Sequence, residues 1–344
     1  MTTRDGYLSG SVLSRSELRT VWDTVDAARR IVALTHANPD ADAIASLLAL
    51  TDLRVRAGQE IIPAVGDGEL PDTLRFLPGA DRLVAPETIS LQGVDLLVML
   101  DCADEMRVGP TFQQHPEWFD GRIPIVNIDH HVTNTRFGSV NLIDPQAAAT
   151  AELLGVMLIE LGIQIEVDVA TCLLAGIQGD TLGLRTPSTR ARTLRLAADL
   201  LERDADLDTV VDNLFRVKPF STIRLWGLAL TRAERLGAIV WTEITPDMLT
   251  SSEAAAAEGE GIVNFLAGSK GSRVGALLYR LHDGWRVSLR SVREDVNVAD
   301  LARLYGGGGH PRAAGCRLAP GIEARDRFLT DLAARLEALP VHRG

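Results

Sequence analysis

The stretch IVALTHANPDAD, residues 31–42, joins a short apolar run to a histidine and two aspartates. Two later apolar runs end in the same way, residues 96–100 at Asp101 and residues 123–128 at Asp129-His130-His131. Short apolar runs bounded by polar residues are typical of buried parallel strands. Because ligands of an open α/β sheet collect beyond the carboxyl ends of its strands, we expect these acids and histidines to form one cluster. Such a cluster needs cations to balance its negative charge.

The residue types in this cluster indicate two divalent metal ions. Two ions about 3.5–4 Å apart need a bridging carboxylate and several terminal ligands, and such a pair favours displacement at phosphorus. Oxygen and imidazole ligands favour Mn²⁺, Mg²⁺ or Fe²⁺ over a zinc site built from thiolates. An aspartate after a strand also commonly caps a helix, so Asp40 or Asp42 taken alone is compatible with either role. The candidate residues are His36, Asp40, Asp42, Asp101, Asp129, His130, His131 and Asp180.

Composition limits the class of protein. With 344 residues, 46% of them hydrophobic and 24% charged, the chain is typical of a soluble globular protein with room for two domains. It has no apolar run of about 20 residues and no signal peptide, and its three cysteines are scattered, so we expect a cytoplasmic protein without disulfides or membrane contact. A net charge of −11 argues against binding of long duplex nucleic acid.

The pattern along the chain predicts an α/β fold with two domains. Residues 15–205 alternate apolar runs with helical patterns, as a parallel doubly wound sheet does. Residues 206–236 are predicted to be a helical connector, poor in strand signals. Residues 237–342 are predicted to form a smaller α/β domain, with a single helix over 252–266 and a hairpin of strands 274–281 and 285–291.

Two features of this second domain suggest a grip on phosphate. Its basic residues lie close together in the sequence, although a solvated hairpin face explains any one of them equally well: Lys270, Arg273, Arg280, Arg286, Arg290 and Arg293. The run Gly306-Gly307-Gly308-Gly309 precedes His310, and glycines let backbone amides approach an anion closely. The alternative for the glycine run is a flexible loop.

These motifs resemble those of a known family. Residues 36–42, Asp101, Asp129-His130-His131 and Asp180-Thr181 resemble the four motifs of the DHH phosphoesterase superfamily. Residues 287–291 and 306–315 resemble its DHH-associated C-terminal domain. The subgroup with the most similar pattern is the stand-alone nano-RNase/pAp-phosphatase type. Its members use Mn²⁺ to degrade very short oligonucleotides and to remove the 3′-phosphate of adenosine 3′,5′-bisphosphate (pAp).

The resemblance implies a role for each motif residue. One metal would be held by His36, Asp40 and Asp101, and the other by Asp42, Asp101, His130 and Asp180, with Asp101 bridging. His131 would face the scissile phosphate, and Asp129 would orient the histidine pair. The second domain would bind substrate through Arg290, Ser291, Gly306, Gly307, Gly308, Gly309 and His310.

The implied reaction is hydrolysis of a phosphoester by a hydroxide that bridges the two metals. The expected substrates are short oligonucleotides or small nucleotides, and a homodimer is compatible with this function. Hydrolysis of pApA or cyclic dinucleotides, or exonuclease action on longer single strands, are alternatives within the superfamily. A nucleotide sensor that binds without cleaving is the alternative from another class, and it predicts the loss of at least one metal ligand. None of the candidate ligands is lost here.

Overall fold

The computed structural model describes residues 7–8, 12–259, 261–293 and 295–339. The chain divides between Val217 and Lys218 into two compact units, and the predicted connector over 206–236 spans this division. The predicted end of the second domain at residue 342 lies outside the described residues. Among the helices of the described part, none is long and apolar enough to cross a membrane.

The first unit is built on a parallel sheet of five strands. The strands are β1 (Arg30–Thr35), β2 (Glu60–Val65), β3 (Leu96–Leu100), β4 (Ile125–Asp129) and β5 (Val140–Ile143). Their order in the sheet is β2-β1-β3-β4-β5, with every neighbouring pair parallel. The predicted doubly wound α/β fold is therefore confirmed. The strand order reverses between β1 and β3, which is where such sheets open a crevice for ligands.

Seven α-helices accompany this sheet in the part of the unit that the structure describes. They are α1 (Arg15–Ala27), α2 (Ala41–Arg56), α3 (Pro110–Gln114), α4 (Thr150–Leu161), α5 (Val167–Asp180), α6 (Ala191–Leu201) and α7 (Leu207–Val211). Both faces of the sheet are covered, which explains why the strands are continuously apolar instead of alternating. Ile31 and Ala33 pack into a core shared with α1, α2, α4 and α5. Val32 and Leu34 face a second core that contains Trp118.

Helix α5 lies very close to α2 and α4 because it carries glycine at the points of contact. A Cβ atom added to Gly176 would lie 2.6 Å from Ala151 Cβ and 2.7 Å from Asp42 Oδ1. A Cβ atom added to Gly179 would lie 2.6 Å from Ala41 Cβ. This close approach brings the end of α5, with Asp180, next to the start of α2.

The second unit contains a mixed sheet of six strands. They are β6 (Glu234–Leu236), β7 (Ile239–Ile244), β8 (Val274–Leu281), β9 (Gly284–Arg290), β10 (Gly308–His310) and β11 (Ala313–Leu318), in the order β10-β11-β9-β8-β7-β6. All neighbours are antiparallel except β7 and β8. The helices are α8 (Phe220–Leu230), α9 (Pro246–Ser252), α10 (Ile262–Ala267), α11 (Val298–Arg303) and α12 (Ile322–Ala338).

Two expectations for the second unit need correction, and the flexible-loop alternative for its glycine run holds only in part. The single helix predicted over 252–266 is wrong, because α9 ends at Ser252, a 3-10 turn follows over Ala256–Gly259, and α10 begins only at Ile262. Gly259 packs against Tyr279, where a Cβ atom would lie 2.2 Å from the tyrosine oxygen. The short strand β6 lies within the predicted helical connector. The glycine run is not a flexible loop throughout, since Gly308–His310 pairs with β11.

Helices cover the two faces of the second sheet unequally. One face carries a core with α11 and α12. On the other face, α8, α9 and α10 pack on β7 and β8. Where this second face continues onto β9, β10 and β11, its residues are half-buried or exposed: Arg286, Ser288, Arg290, Gly308, His310, Ala313, Gly315 and Arg317. A polar, glycine-containing surface therefore extends beyond the helices.

Substitution of Gly176 tests the close packing of α5. We expect Gly176→Ala to lower the free energy of unfolding by about 1–3 kcal/mol, because the new methyl group overlaps Ala151 and the Asp42 carboxylate. Gly227→Ala is the matched control within a helix, since a Cβ atom there meets nothing within 4 Å. It should raise stability by about 0.4–1 kcal/mol. Urea unfolding followed by circular dichroism measures both, and equal stability of Gly176→Ala and wild type would contradict the packing.

Candidate metal centre

The end of β1 and the start of α2 supply three of the predicted residues. His36 is buried, and its Nδ1 lies 2.9 Å from the carbonyl oxygen of Ala37. Since a carbonyl can only accept, Nδ1 carries the proton and Nε2 remains available for a metal. Asp40 caps α2 by accepting from the N–H groups of Asp42 and Ala43, both at 3.1 Å. Asp40 is thus a helix cap whose carboxylate also borders the cluster.

Asp101 occupies the centre of the cluster. It follows β3 with a φ of 57°, a left-handed conformation that is uncommon outside glycine, and its residue exposure is 1%. Its Oδ2 lies 3.5 Å from His36 Nε2, and its Oδ1 lies 3.5 Å from His130 Nε2. One carboxylate therefore faces histidines on both sides, as a bridging ligand would.

The end of β4 places the two adjacent histidines in different environments. His130 Nδ1 lies 3.3 Å from the carbonyl oxygen of Ala147, and its Nε2 lies 3.1 Å from Asp180 Oδ2 and 4.0 Å from Asp42 Oδ2. His131 Nδ1 lies 2.7 Å from Asp129 Oδ1. Each ring thus has one nitrogen fixed by an acceptor and the other nitrogen left for a ligand.

The structure sorts the predicted residues into groups suited to metal binding. In each group, one ligand atom from every residue lies within 4.8 Å of the others, and the three groups are His36/Asp40/Asp101, Asp42/His130/Asp180 and Asp101/His130/His131. Asp129 lies outside these groups and instead holds His131. The first two groups share no residue. Asp101 belongs to the first group, and its Oδ1 lies 3.5 Å from His130 Nε2 in the second.

The electrostatics of the cluster fit the binding of cations. Burial, followed by the charges of Asp101 and Asp180, raises the pKa of Asp42 well above its ordinary value. Burial opposes protonation of His130, yet the hydrogen bond to Asp180 and the charges of Asp42 and Asp101 raise its pKa to about 10. In the protein without metal ions, bound protons therefore offset the negative charge of the crowded carboxylates. Divalent cations would supply that compensation more fully with this set of oxygen and imidazole donors.

Sequence reasoning missed Thr150, which contacts two of the candidate ligands. Its N–H donates to Asp42 Oδ2 at 2.6 Å, and its hydroxyl donates to Asp101 Oδ1 at 2.9 Å. The N–H of Ala151 donates to the second oxygen of Asp42 at 2.9 Å. The start of α4 therefore points its free N–H groups at a buried carboxylate. A threonine at the start of a helix gives no sequence signal for this role.

Sequence reasoning also missed Asn134, which supports Asp129. Its amide donates to Asp129 Oδ2 at 2.6 Å and to Asn127 Oδ1 at 2.8 Å. Asp129 is fully buried, so the hydrogen bonds of Asn134 and His131 use both of its oxygens. Asn134 thereby fixes the carboxylate that fixes His131.

The candidate substrate-binding residues of the second unit are only partly placed as expected. Arg290 and His310 lie on the face of β9, β10 and β11 that helices α8, α9 and α10 leave open, which we call the uncovered sheet face. Each is in register with Ala313. Ser291 is buried, and its hydroxyl donates to the carbonyl oxygen of Arg273 at 2.8 Å. That hydroxyl is therefore committed to the protein, and contact of Ser291 with substrate stays a prediction that this bond does not favour.

The backbone of the glycine run is likewise committed to the protein in part. The N–H groups of Gly306 and Gly307 donate to the last carbonyls of α11, those of Arg303 and Ala302, and so do not point at an anion. Added Cβ atoms at Gly307 and Gly309 would lie 2.1 Å from Gly315 O and 2.4 Å from Ala313 O, so the close approach of β11 requires both glycines. A Cβ atom at Gly308 would meet nothing within 4 Å. Close packing therefore does not require a glycine at position 308.

Comparison with known proteins agrees with this picture. Residues 30–177 match the DHH family, N-terminal domain, and residues 247–338 match the DHHA1 domain. The bifunctional oligoribonuclease and PAP phosphatase NrnA of Thermus thermophilus is 35% identical over 289 residues, which cover 84% of each chain. The chain belongs to the DHH family.

Two further relatives extend the comparison. The Bacillus subtilis protein named bifunctional oligoribonuclease and PAP phosphatase NrnA is 29% identical over 90% of this chain and 95% of its own length. An exopolyphosphatase-related protein from Bacteroides fragilis has the same fold, with a TM-score of 0.85, 21% identity and coverage of 95% of this chain and 99% of that chain. The similarity to members of the DHH family therefore extends over both units.

Substitution of Thr150 tests whether the start of α4 positions the cluster. We expect Thr150→Val to weaken binding of divalent ions by about 10-fold or more, because Asp101 loses the hydroxyl that orients it. Thr150→Ser keeps the hydroxyl and should bind metal nearly as wild type does. Isothermal titration with Mn²⁺ measures both. Equal affinities of Thr150→Val and Thr150→Ser would contradict the role of the hydroxyl.

Proposed function

We propose that this protein is a metal-dependent phosphoesterase that hydrolyses short oligonucleotides and removes the 3′-phosphate of pAp. The observation that carries the proposal is the pair of groups His36/Asp40/Asp101 and Asp42/His130/Asp180, with Asp101 close to both. The relatives named oligoribonuclease and PAP phosphatase support this substrate class, because the similarity covers 84% and 95% of their lengths.

The residues of the cluster would divide between two ions, most suitably Mn²⁺. His36, Asp40 and Asp101 would hold one ion, and Asp42, Asp101, His130 and Asp180 the other, with Asp101 shared. When bound, two divalent ions lower the pKa of water and neutralise charge on phosphoryl oxygens. The protein's own contribution is to orient the ligands, through the N–H groups of Thr150 and Ala151 on Asp42 and through the carbonyl oxygen of Ala147 on His130.

His131 is the residue best suited to contact the reacting phosphate. Asp129 accepts from its Nδ1 and fixes the orientation of the ring. The side chain of His131 is 26% exposed, whereas that of Asp129 is fully buried. The opposite ring nitrogen, Nε2, can therefore face a phosphoryl oxygen while Asp129 holds the ring from the buried side. This arrangement supports a catalytic role for Asp101, Asp129 and His131 together.

The uncovered sheet face of the second unit supports a phosphate-binding role for Arg290 and His310. Both are in register with Ala313, and in the next row Gly308 and Ser288 are in register with Gly315. Residues in register share a face, and neighbouring strands lie about 4.8 Å apart. Two cationic or hydrogen-bonding side chains thus flank a floor of alanine and glycine, with open space above Gly308. Such a floor admits a phosphate or sugar close to the backbone.

A substrate panel tests the proposed activity. The candidates are pAp, pApA, and labelled RNAs and DNAs of roughly two to 24 nucleotides, each with Mn²⁺ and with EDTA. We expect Mn²⁺-dependent cleavage of pAp and the shortest oligomers, and we expect Asp101→Asn to abolish it, since the shared carboxylate loses its charge. Efficient cleavage of the 24-mer would indicate a long-strand exonuclease. Binding without any cleavage would indicate a nucleotide sensor.

Substitution of His310 tests the phosphate-binding face. We expect His310→Ala to raise KM by about 10-fold or more with a smaller effect on kcat, because a charge-assisted hydrogen bond contributes about 1.5–3 kcal/mol. His282→Ala is the matched control, an exposed histidine in the turn between β8 and β9. It should leave both constants unchanged. Steady-state kinetics on pAp and on a dinucleotide decide the matter, and an unchanged KM for His310→Ala would rule out this contact.

A further inference from the structure

A buried ion-pair network joins α6 to a segment that borders the metal centre. Arg192, on α6, donates through Nη1 and Nη2 to Asp144 Oδ2, both at 3.0 Å, and through Nε to Glu152 Oε1. Both carboxylates have an exposure of 0%. One guanidinium thus joins two carboxylates that stand at either end of a segment, residues 144–152, which connects β5 to α4.

The same two carboxylates also bind the backbone inside that segment. Asp144 Oδ1 accepts from the N–H of Gln146 at 2.9 Å, and Glu152 Oε2 accepts from the N–H of Ala148 at 3.1 Å. The hydroxyl of Thr193 donates to Glu152 Oε2 at 2.7 Å. Two backbone N–H groups inside the segment are therefore bonded to carboxylates that Arg192 and Thr193 hold.

The inner side of this segment contacts three of the candidate metal ligands. Ala147 O accepts from His130, Thr150 donates to Asp42 and Asp101, and Ala151 donates to Asp42. Residues 144–152 thus carry, on one side, the groups that orient the ligands and, on the other, the carboxylates that Arg192 joins. A shift of the segment would change the orientation of all three ligands together.

We propose that Arg192 is a positioning residue for the metal centre, which acts by bracing residues 144–152 from outside. This proposal rests on the proposed metal site, and it adds a residue that neither charge pattern nor motif singles out. Nη1 and Nη2 donate to one oxygen of Asp144 while Nε donates to Glu152, so the planar guanidinium fixes the spacing and angle of the two carboxylates. An ammonium group has the same charge but lacks this planar fork. The planar arrangement of its N–H donors, more than its charge, is therefore what Arg192 contributes.

The test must separate bracing from simple loss of folding. Arg192→Met alone leaves two buried carboxylates without a partner, which is strongly destabilising. Arg192→Met combined with Asp144→Asn and Glu152→Gln removes the buried charges, while the amide oxygens still accept from Gln146 and Ala148. Arg192→Lys keeps the charge balance but not the fork. Arg195→Met, an exposed arginine on the same helix, is the matched control.

The readout is Mn²⁺ affinity by isothermal titration, together with thermal unfolding of the metal-free protein. We expect the triple variant to fold with a similar melting temperature but to bind Mn²⁺ about 10- to 100-fold more weakly, with Arg192→Lys about 10-fold weaker and Arg195→Met unchanged. Wild-type affinity in Arg192→Lys overturns the proposal, and so does wild-type affinity in a folded triple variant. If the triple variant does not fold, Arg192→Lys decides. Failure of the metal site itself is distinguishable, because wild type would then bind no Mn²⁺.

Discussion

The burial of mutually repelling carboxylates is the constraint on which the rest of the first unit depends. Asp42 is fully buried and Asp101 nearly so, and His130 lies between Asp101 and Asp180 at the carboxyl edge of the sheet. Buried charges persist only when they are paired and hydrogen-bonded. The fold meets this need with the N–H groups of Thr150 and Ala151, with three imidazoles, and with a donor set suited to divalent cations. The glycines of α5 then permit the approach that brings Asp180 to Asp42.

Much of this arrangement could be predicted from the sequence because of one topological rule. Strands of a parallel sheet end at a common edge, so residues that follow β1, β3 and β4 must lie near one another whatever their separation in the chain. His36, Asp101 and the pair after Asp129 obey this rule. The ambiguity at Asp40 disappears in the structure, where a single carboxylate caps α2 and also borders the cluster. The parallel doubly wound sheet was predictable for the same reason.

The residues that the sequence did not reveal act through contacts between distant parts of the chain. Thr150 and Arg192 reach their partners only after α4 and α6 have packed, and neither residue type is unusual at its position. Ser291 shows the opposite case. Its position in a motif suggested contact with substrate, but its hydroxyl donates to the carbonyl oxygen of Arg273. The predicted helix over 252–266 failed because Gly259 packs against Tyr279, a contact that local helical propensity does not contain. Short-range patterns locate the ligands, whereas tertiary packing decides what orients them.

The central claim is that Asp101 is shared between two metal ions. Anomalous diffraction from crystals grown with Mn²⁺ tests it most directly, because it locates each ion independently of activity. Our account predicts two peaks about 3.5–4 Å apart, one beside His36 and Asp40 and the other beside Asp42, His130 and Asp180, with Asp101 between them. A single peak, or two peaks of which only one lies near Asp101, would contradict it.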